Sequence, residues 1–234
     1  MKREMVLVPP GEFIYRVEHL IQEGDCQYDH GPRFIKIDSF YADKFPVTNY
    51  LFACFLGESG YDPPDKTNFL RHWKEGACPA ALLDHPITWI SQTDAKAYAS
   101  FYGCRLAKDF EWQYMAGGPE KLAFPWGEHF NPDLCNSKAG AEGDTTPVGK
   151  YPGGAGPFGN MDLCGNAWEW VDDVIDDGMH IFTFLRGGSS YAAPDFWHAL
   201  GGPHKNNYHL KMQLLNEGIN RSGTVSFRCI KDYK

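Results

Sequence analysis

The spacing of apolar and polar residues predicts two helices in the first half of the chain. One covers Thr48–Gly57, where Phe52, Phe55 and Leu56 share a face and the closing glycine provides a stop. The other covers Ser91–Gly103, where an aspartate three residues after the serine forms a capping-box pattern. Alanines and tyrosines recur at helical spacing in the second segment, which predicts a buried stripe along it.

Three short runs predict strands, at Met5–Val8, Phe34–Phe40 and Thr224–Ile230. The acidic run DDVIDD at Asp172–Asp177 is interpreted as a solvated loop, with a metal site as the less favoured alternative. The 25 glycines and 16 prolines are spread throughout, so long regular elements should be scarce and ordered loops abundant. Because no repeat or linker is visible, residues 1–234 are expected to form one domain of mixed helix and strand.

Composition and charge argue against three classes of protein: disordered, nucleic-acid-binding and membrane-spanning. With 43% hydrophobic and 15% aromatic residues, the chain is not intrinsically disordered. A net charge of −8 argues against binding to a phosphate backbone, so no nucleic-acid partner is expected. No apolar run approaches the roughly 20 residues that span a bilayer, and prolines interrupt the apolar start of MKREMVLVPPGEF, which makes it a poor signal peptide. We therefore expect a cytoplasmic protein with no membrane partner.

Seven cysteines are present, an odd number, and none forms a C-x-x-C pair. This pattern indicates neither a zinc ribbon nor a fully paired disulfide framework. Several of the cysteines are expected to be buried as small apolar groups.

Eight segments, taken in order, resemble one known family along nearly the whole chain. They are MVLVPPGEF, IDSFYADKFPVTNYLFACFLGESGY, HPITWISQTDAKAYASFYGCRLAKDFEWQYMAGG, FPWGEHFNPDLCNS, TTPVGKYPGG, FGNMDLCGNAWEWVDD, LRGGSS and VSFRC. The chain looks like a divergent member of the formylglycine-generating enzyme family, also called the sulfatase-modifying factor family. The resemblance implies an α+β fold: a single compact domain, a variant of the C-type-lectin-like fold, with little regular secondary structure.

The resemblance implies a calcium site in the segment DLCGNAWEW. The matching ligands are the side chains of Asp162 and Glu169 and the carbonyls of Gly165 and Ala167. Calcium takes roughly six to eight hard oxygen ligands, and a glycine-containing turn lets carbonyls point inward. The alternative is that the two tryptophans of the segment anchor a turn whose carboxylates face water.

A second family calcium site would use Asn136 and the carbonyl of Ser137. Its usual acidic partner falls near Gly140, which offers no side-chain oxygen. The second site therefore lacks one of its expected ligands.

The resemblance also carries an expectation about catalysis that the residues do not meet. Family enzymes oxidise a cysteine of a sulfatase peptide, and they hold copper(I) with two cysteines just after the GGS, since soft thiolates suit that ion. Aligned on the RGGS segment, those positions fall on Ala192 and Trp197. Neither side chain can ligate a metal, so we do not expect copper-dependent formylglycine generation.

The same part of the chain is rich in histidine. His198, His204 and His209 lie within twelve residues, in a chain with nine histidines. Imidazole is a common metal ligand and exchanges protons near neutral pH. We interpret these histidines as candidate catalytic groups around a substrate or a transition metal, with Asp195 to orient one of them. The alternative is that each is solvated or bonded to a carbonyl, because their spacing matches no helix-face metal motif.

Four further side chains are candidates for ligand binding. Phe196 and Trp197 would provide an aromatic wall, and Tyr208 lies in the same stretch. Arg221 would clamp an acidic group with two parallel hydrogen bonds, or else form a structural ion pair with Glu217.

Two main functional hypotheses follow. The favoured one is an enzyme, other than a formylglycine generator, that acts on a small molecule, sugar or peptide in a cleft lined by histidine and tryptophan. The other is a non-catalytic, calcium-stabilised module that binds a sugar or peptide on the same scaffold. A third, a relative that binds sulfatase peptides or the active enzyme without acting, has no specific support in the residues.

Overall fold

The computed structural model describes residues 3–21, 31–137, 144–191 and 202–233, with the backbone alone for 19–21. Its helices are α1 (Asn49–Ser59), α2 (Gln92–Phe101), α3 (Asp109–Gly117) and α4 (Glu217–Asn220). Its strands are β1 (Met5–Val8), β2 (Gly11–Tyr15), β3 (Glu18–Ile21), β4 (Arg33–Ile37), β5 (Phe40–Asp43), β6 (Arg105–Leu106), β7 (Trp168–Asp176), β8 (Ile181–Arg186), β9 (Tyr208–Leu214), β10 (Val225–Ser226) and β11 (Cys229–Asp232).

The strands form three sheets. The largest has the order β10-β7-β8-β9-β3, in which β7, β8 and β9 are antiparallel neighbours and the two edge strands pair in parallel. A four-stranded sheet has the order β1-β5-β11-β6, and β2 pairs with β4 alone. Strands β1 and β11, near the two ends of the chain, both pair with β5 and are therefore close together.

Both faces of the largest sheet are covered, because successive residues of a strand point to opposite sides. Trp170 of β7 and Leu185 of β8 pack in a cluster with α1 and α2. Their neighbours Val171 and Phe184 pack in a second cluster with α3 and the β2–β4 pair. The mixed α+β architecture is therefore built around one buried sheet.

The two predicted helices are present, with one boundary corrected. Thr48 caps α1, its hydroxyl accepting from the Leu51 amide at 3.3 Å. The helix continues past Gly57 and ends at Gly60, whose φ of +65° is the left-handed conformation that favours glycine at a C-terminus. Ser91 caps α2 in the predicted capping box. Helix α3 was not predicted from the apolar spacing.

Two predicted strands are divided between sheets. The run Phe34–Phe40 contributes to β4 and then to β5, and Thr224–Ile230 contributes to β10 and then to β11. The acidic run that was interpreted as a loop belongs to β7 from Asp172 to Asp176, and only Asp177 follows the strand. There Asp172 forms ion pairs with Lys96 at 3.0 Å and Lys108 at 2.6 Å, so the charge of this aspartate is neutralised. No helix within the described ranges has the length and apolarity to cross a bilayer.

Candidate functional site

The segment RGGSS ends β8 and turns the chain. Gly187 and Gly188 both have φ above +80°, a conformation that side chains rarely adopt. A Cβ on Gly188 would lie 2.1 Å from the carbonyl oxygen of Gly202, so only glycine permits this close approach. Two hydrogen bonds, from Ser189 N to Gly202 O (3.1 Å) and from Gly202 N to Tyr191 O (2.6 Å), hold Tyr191 and Gly202 next to each other.

Several residues named in the sequence analysis fall between Tyr191 and Gly202. They lie outside the described residues, and they are Ala192, Asp195, Phe196, Trp197 and His198. The described residues on either side bring the two ends of the segment together beside His204.

A cavity of about 330 Å³ lies next to His204. We call it the His204 cavity, and its lining residues are Glu18, Phe124, Phe130, Gly202, Pro203, His204, Lys205 and Tyr208. The His204 ring stacks on Tyr208, with ring centroids 4.2 Å apart, and on the buried Trp168, with centroids 5.1 Å apart. His204 and Tyr208 are thus brought together at one depression, and both are sequence-based candidates.

His209 does not join them, because it follows Tyr208 directly in β9 and points to the other face of the sheet. Its ring is fully buried and stacks on Phe184, with centroids 4.1 Å apart. Its Nδ1 lies 3.1 Å from both carboxylate oxygens of Asp109. The expectation that His209 shares a cleft with His204 is corrected: it lies in a core network.

Asp109 is the centre of that network. Arg186 Nε donates to its Oδ1 at 2.6 Å, and the Tyr15 hydroxyl donates to its Oδ2. Burial by itself would raise the pKa of Asp109, but the charges of Arg186 and His209 outweigh it and hold the pKa well below its usual range. Arg186 also donates to the carbonyls of Asn206 and Tyr208, at 3.0 and 3.1 Å, and so fixes the strand that carries the cavity wall.

Arg221 is likewise committed to the interior. Its Nε and Nη2 donate to the two carboxylate oxygens of Asp94 at 2.8 and 3.1 Å, and its Nη1 donates to the carbonyls of Asp65 and Thr67. The predicted ion pair with Glu217 is not formed, since that carboxylate accepts from Thr93 instead. The guanidinium is buried, so the expectation that it reaches a bound acid is corrected as well.

The expected calcium segment places its two carboxylates in different environments. Glu169 accepts from Arg228 Nη2 at 2.6 Å and from Arg228 Nε at 2.8 Å, and Trp112 Nε1 donates to it at 2.8 Å. Arg228 and Glu169 are both buried, so the negative charge is already neutralised. The geometry therefore offers no unpaired charge at Glu169 for a cation.

Asp162 differs from Glu169 in this respect. One of its oxygens accepts from the Gly149 amide at 2.7 Å, and its backbone has a φ of +56°. Burial, together with the nearby charge of Glu169, raises the pKa of Asp162 to about 6, and Arg228 offsets this only in part. A carboxylate in such a place would gain from a bound cation, which is the part of the expected ligand set that fits calcium.

The turn between the two carboxylates is held by close backbone contacts. Gly165 has a φ of +78°, its amide donates to Gly187 O at 2.9 Å, and a Cβ on it would lie 2.5 Å from the carbonyl oxygen of Asn136. The buried Asn166, which was not a sequence-based candidate, donates from its amide nitrogen to Thr146 O and accepts from Thr146 N. Ala167 is buried in the same turn.

The residues of the expected second calcium site make protein contacts. The side-chain amide of Asn136 donates to Asp144 O and to Asn166 Oδ1, both at 3.1 Å. Ser137 Oγ donates to Pro132 O at 3.5 Å, and Gly140 lies outside the described residues. Within the described ranges, no three histidine, cysteine, aspartate or glutamate side chains form a group that could hold a metal ion.

Comparison with known proteins identifies the family. A model of the sulfatase-modifying factor enzyme 1-like domain matches residues 1–233, so the chain belongs to the formylglycine-generating enzyme and sulfatase-modifying factor family. The fold agrees with the solved structure of PvdO from Pseudomonas aeruginosa, with a TM-score of 0.68 over 98% of this chain and 94% of that chain, at 19% identity.

Three curated relatives illustrate the range of names in this family. The chain is 31% identical to the serine/threonine-protein kinase pkn1 of Chlamydia caviae, over 99% of this chain but 38% of the relative. It is 28% identical to the hercynine oxygenase of Mycolicibacterium smegmatis, over 73% of this chain and 45% of the relative. It is 26% identical to the inactive C-alpha-formylglycine-generating enzyme 2 of Bos taurus, over 96% of this chain and 87% of the relative. The chain therefore spans less than half of the first two relatives.

Sequence reasoning did not identify most of the cavity wall. Phe124 and Phe130 were not candidates although they line the His204 cavity, and Trp168, which supports His204 from the interior, was assigned only to anchoring a turn. The cluster of aromatic residues in FPWGEHF is a signal that could have found them, because three rings in seven residues around a glycine are unusual for a solvated loop.

Proposed function

We propose that this protein binds a small ligand with an aromatic, sugar or other ring in the His204 cavity and acts on it by a reaction other than formylglycine generation. The observation that carries the proposal is the position of His204 at the cavity wall, where its ring stacks on Tyr208 and also on the buried Trp168. Aromatic walls favour flat or ring-shaped ligands, and an imidazole beside them supplies a group that exchanges protons near neutral pH.

The chemistry of two residues supports a reaction outside the formylglycine class. Alanine and tryptophan, at Ala192 and Trp197, stand where the family resemblance implies copper-binding thiolates. The name of the relative hercynine oxygenase supports the idea that this family includes enzymes with other activities. In this proposal His204 holds or accepts a proton of the bound ligand, while the aromatic rings orient it.

The proposal is tested with a panel of aromatic, sugar and peptide compounds, using tryptophan fluorescence to measure binding and mass spectrometry to detect product. We expect His204→Ala to weaken binding at least about tenfold. His180→Ala, which changes an exposed histidine, is the matched control and should bind like the unchanged protein. Equal affinity of all three proteins for every bound compound would overturn the assignment of this cavity.

A non-catalytic binding module is the second candidate function, and the name of the inactive relative favours it. The same assay separates the two functions. A module would bind a compound of the panel and return it with unchanged mass, and an enzyme would convert it. A sulfatase peptide with its cysteine intact is included, and we expect no aldehyde to form on it.

We also propose a structural calcium ion held by Asp162, the carbonyls of Gly165 and Ala167, and Glu169. The raised pKa of Asp162 supports it, and the engagement of Glu169 by Arg228 opposes it, so Asp162 is the ligand on which the proposal depends.

An ion that binds only the folded state stabilises it. Chelator should lower the melting temperature of the unchanged protein, whereas Asp162→Asn should be insensitive to it. Asp133→Asn, at an exposed aspartate, is the control. Identical melting of the unchanged protein with chelator and with excess calcium would refute the proposal.

A further inference from the structure

Two buried cysteines meet beneath the His204 cavity. Cys135 follows a short turn at Pro132–Leu134, and Cys164 precedes β7, yet both free cysteines lie in the same buried cluster. The two side chains are 5% and 2% exposed, and they form a small apolar cluster with Phe124.

The backbone holds the two thiols in place. Immediately after them, the Asn166 amide donates to the Asn136 carbonyl at 3.0 Å, and the absence of a side chain at Gly165 lets the two segments touch. Leu134, the residue before Cys135, also makes a close backbone contact. Its carbonyl oxygen lies so near Gly154 that a Cβ on that glycine would be only 2.0 Å away. The proximity of the two cysteines is therefore a consequence of packed backbone on both sides.

The pair also contacts the candidate site. The Cys164 thiol donates to the carbonyl oxygen of His204 at 3.5 Å. Phe124 belongs both to the thiol cluster and to the lining of the cavity. A change in the bonding of these sulfur atoms would thus act directly on the residue that the proposed function places at the cavity wall.

We propose that Cys135 and Cys164 are a redox-active pair that forms a reversible disulfide at the base of the His204 cavity by exchange with low-molecular-weight disulfides. The two side chains already lie in one buried cluster, on backbone segments that are in contact, so the thiols are placed to form the bond. This inference rests on the thiol pair and is independent of which ligand the cavity binds.

The environments of the two thiols set the order of steps. Cys135 is the more exposed of the two, at 5% against 2%. It is therefore the attacking group, and it attacks as the thiolate, which is the nucleophile in exchange. It attacks one sulfur of glutathione disulfide, releases one glutathione thiolate, and becomes a mixed disulfide.

Cys164 completes the reaction. It gives up its proton, attacks the Cys135 sulfur and expels the second glutathione. The protein loses two thiol hydrogens and two electrons, and the glutathione disulfide that accepts them becomes two molecules of glutathione. The new bond joins residues 29 positions apart in the chain and removes the thiol proton that the His204 carbonyl accepts.

The experiment equilibrates the purified chain of 234 residues with defined ratios of reduced and oxidised glutathione, followed by acid quench, alkylation and peptide mapping without reduction. We expect a peptide pair joined through Cys135 and Cys164, in a fraction that follows the glutathione ratio and returns to zero with reductant. By constraining the unfolded chain, the oxidised form should melt roughly 5–15 °C higher.

Single substitutions test the order of steps. In Cys164→Ser, glutathione should remain attached to Cys135, whereas in Cys135→Ser little glutathione should be found on Cys164. Cys54→Ser, at a half-buried cysteine elsewhere, is the control and should form the disulfide normally. Persistence of both thiols at every glutathione ratio in the unchanged protein, or a cross-link between other cysteines in their place, would overturn the proposal even if a variant failed to fold.

Discussion

Replacing Asp109 with asparagine should destabilise the protein severely, although the change conserves size. The carboxylate neutralises Arg186, whose side chain is fully buried, and it accepts hydrogen bonds from Arg186, Tyr15 and His209. An amide has one acceptor oxygen and no charge, so the guanidinium would remain as an uncompensated buried cation. Breaking a buried pair from one side costs about 3–5 kcal/mol.

The assay is urea unfolding followed by tryptophan fluorescence, with Asp133→Asn as the control at an exposed position. A loss of about 3–5 kcal/mol should lower the midpoint by about 1–2 M urea. The control should stay within about 0.5 kcal/mol of the unchanged protein. If Asp109→Asn lost less than about 1 kcal/mol, water or a shifted side chain would have to be compensating the charge, and the reasoning from burial would be wrong.

The same network predicts a dependence on pH. The folded-state pKa of Asp109 lies below its unfolded value, so the folded state binds fewer protons and the contribution to stability is present above about pH 4. That contribution is lost as the pH falls from about 4 towards the folded-state pKa. The acid-induced decrease in the free energy of unfolding should therefore be smaller in Asp109→Asn, and equal acid sensitivity of the two proteins would contradict the assignment.

Three further predictions follow from other residues. In the presence of chelator, the contribution of Asp162 to the free energy of unfolding should be lost as the pH rises from about 4 through about 6, because its folded-state pKa is raised. Differential scanning calorimetry across that range should show no such loss in Asp162→Asn. Gly188→Ala should displace the backbone ahead of His204 and weaken ligand binding measured by fluorescence, since its Cβ would meet the Gly202 carbonyl; unchanged binding would contradict this. Ser91→Ala should cost about 1 kcal/mol in urea unfolding by removing the cap of α2, and a negligible change would mean that water replaces the cap.

Local signals were sufficient wherever a structure depends on neighbours in sequence. Thr48 and Ser91 were identifiable as caps because each bonds an amide three residues away. The end of α1 was not, because Gly57 and Gly60 are equally good stops in isolation, and the helix continues while its apolar face still has partners to pack against. The family resemblance was visible in the ordered segments, and with it the α+β fold.

The candidate site was predictable only in part, because its side chains come from distant segments. His204 and Tyr208 were identified from composition, and they do meet at one cavity. His209 differs from Tyr208 by a single position, yet it faces the core, and no local feature of the sequence reveals which face of a strand is turned inward when both faces are buried.

The sequence by itself determined which reactive or conformationally special residues are present: the histidines, the glycine pair of RGGSS, the acids and the cysteines. Only the tertiary structure decided their partners. Arg221 bonds Asp94 rather than Glu217, Arg228 bonds Glu169, and Cys135 packs with Cys164. The physical reason is that a buried charge or thiol is stabilised by whichever group the packing of distant segments places within about 3–4 Å of it, and separation along the chain carries no information about that distance.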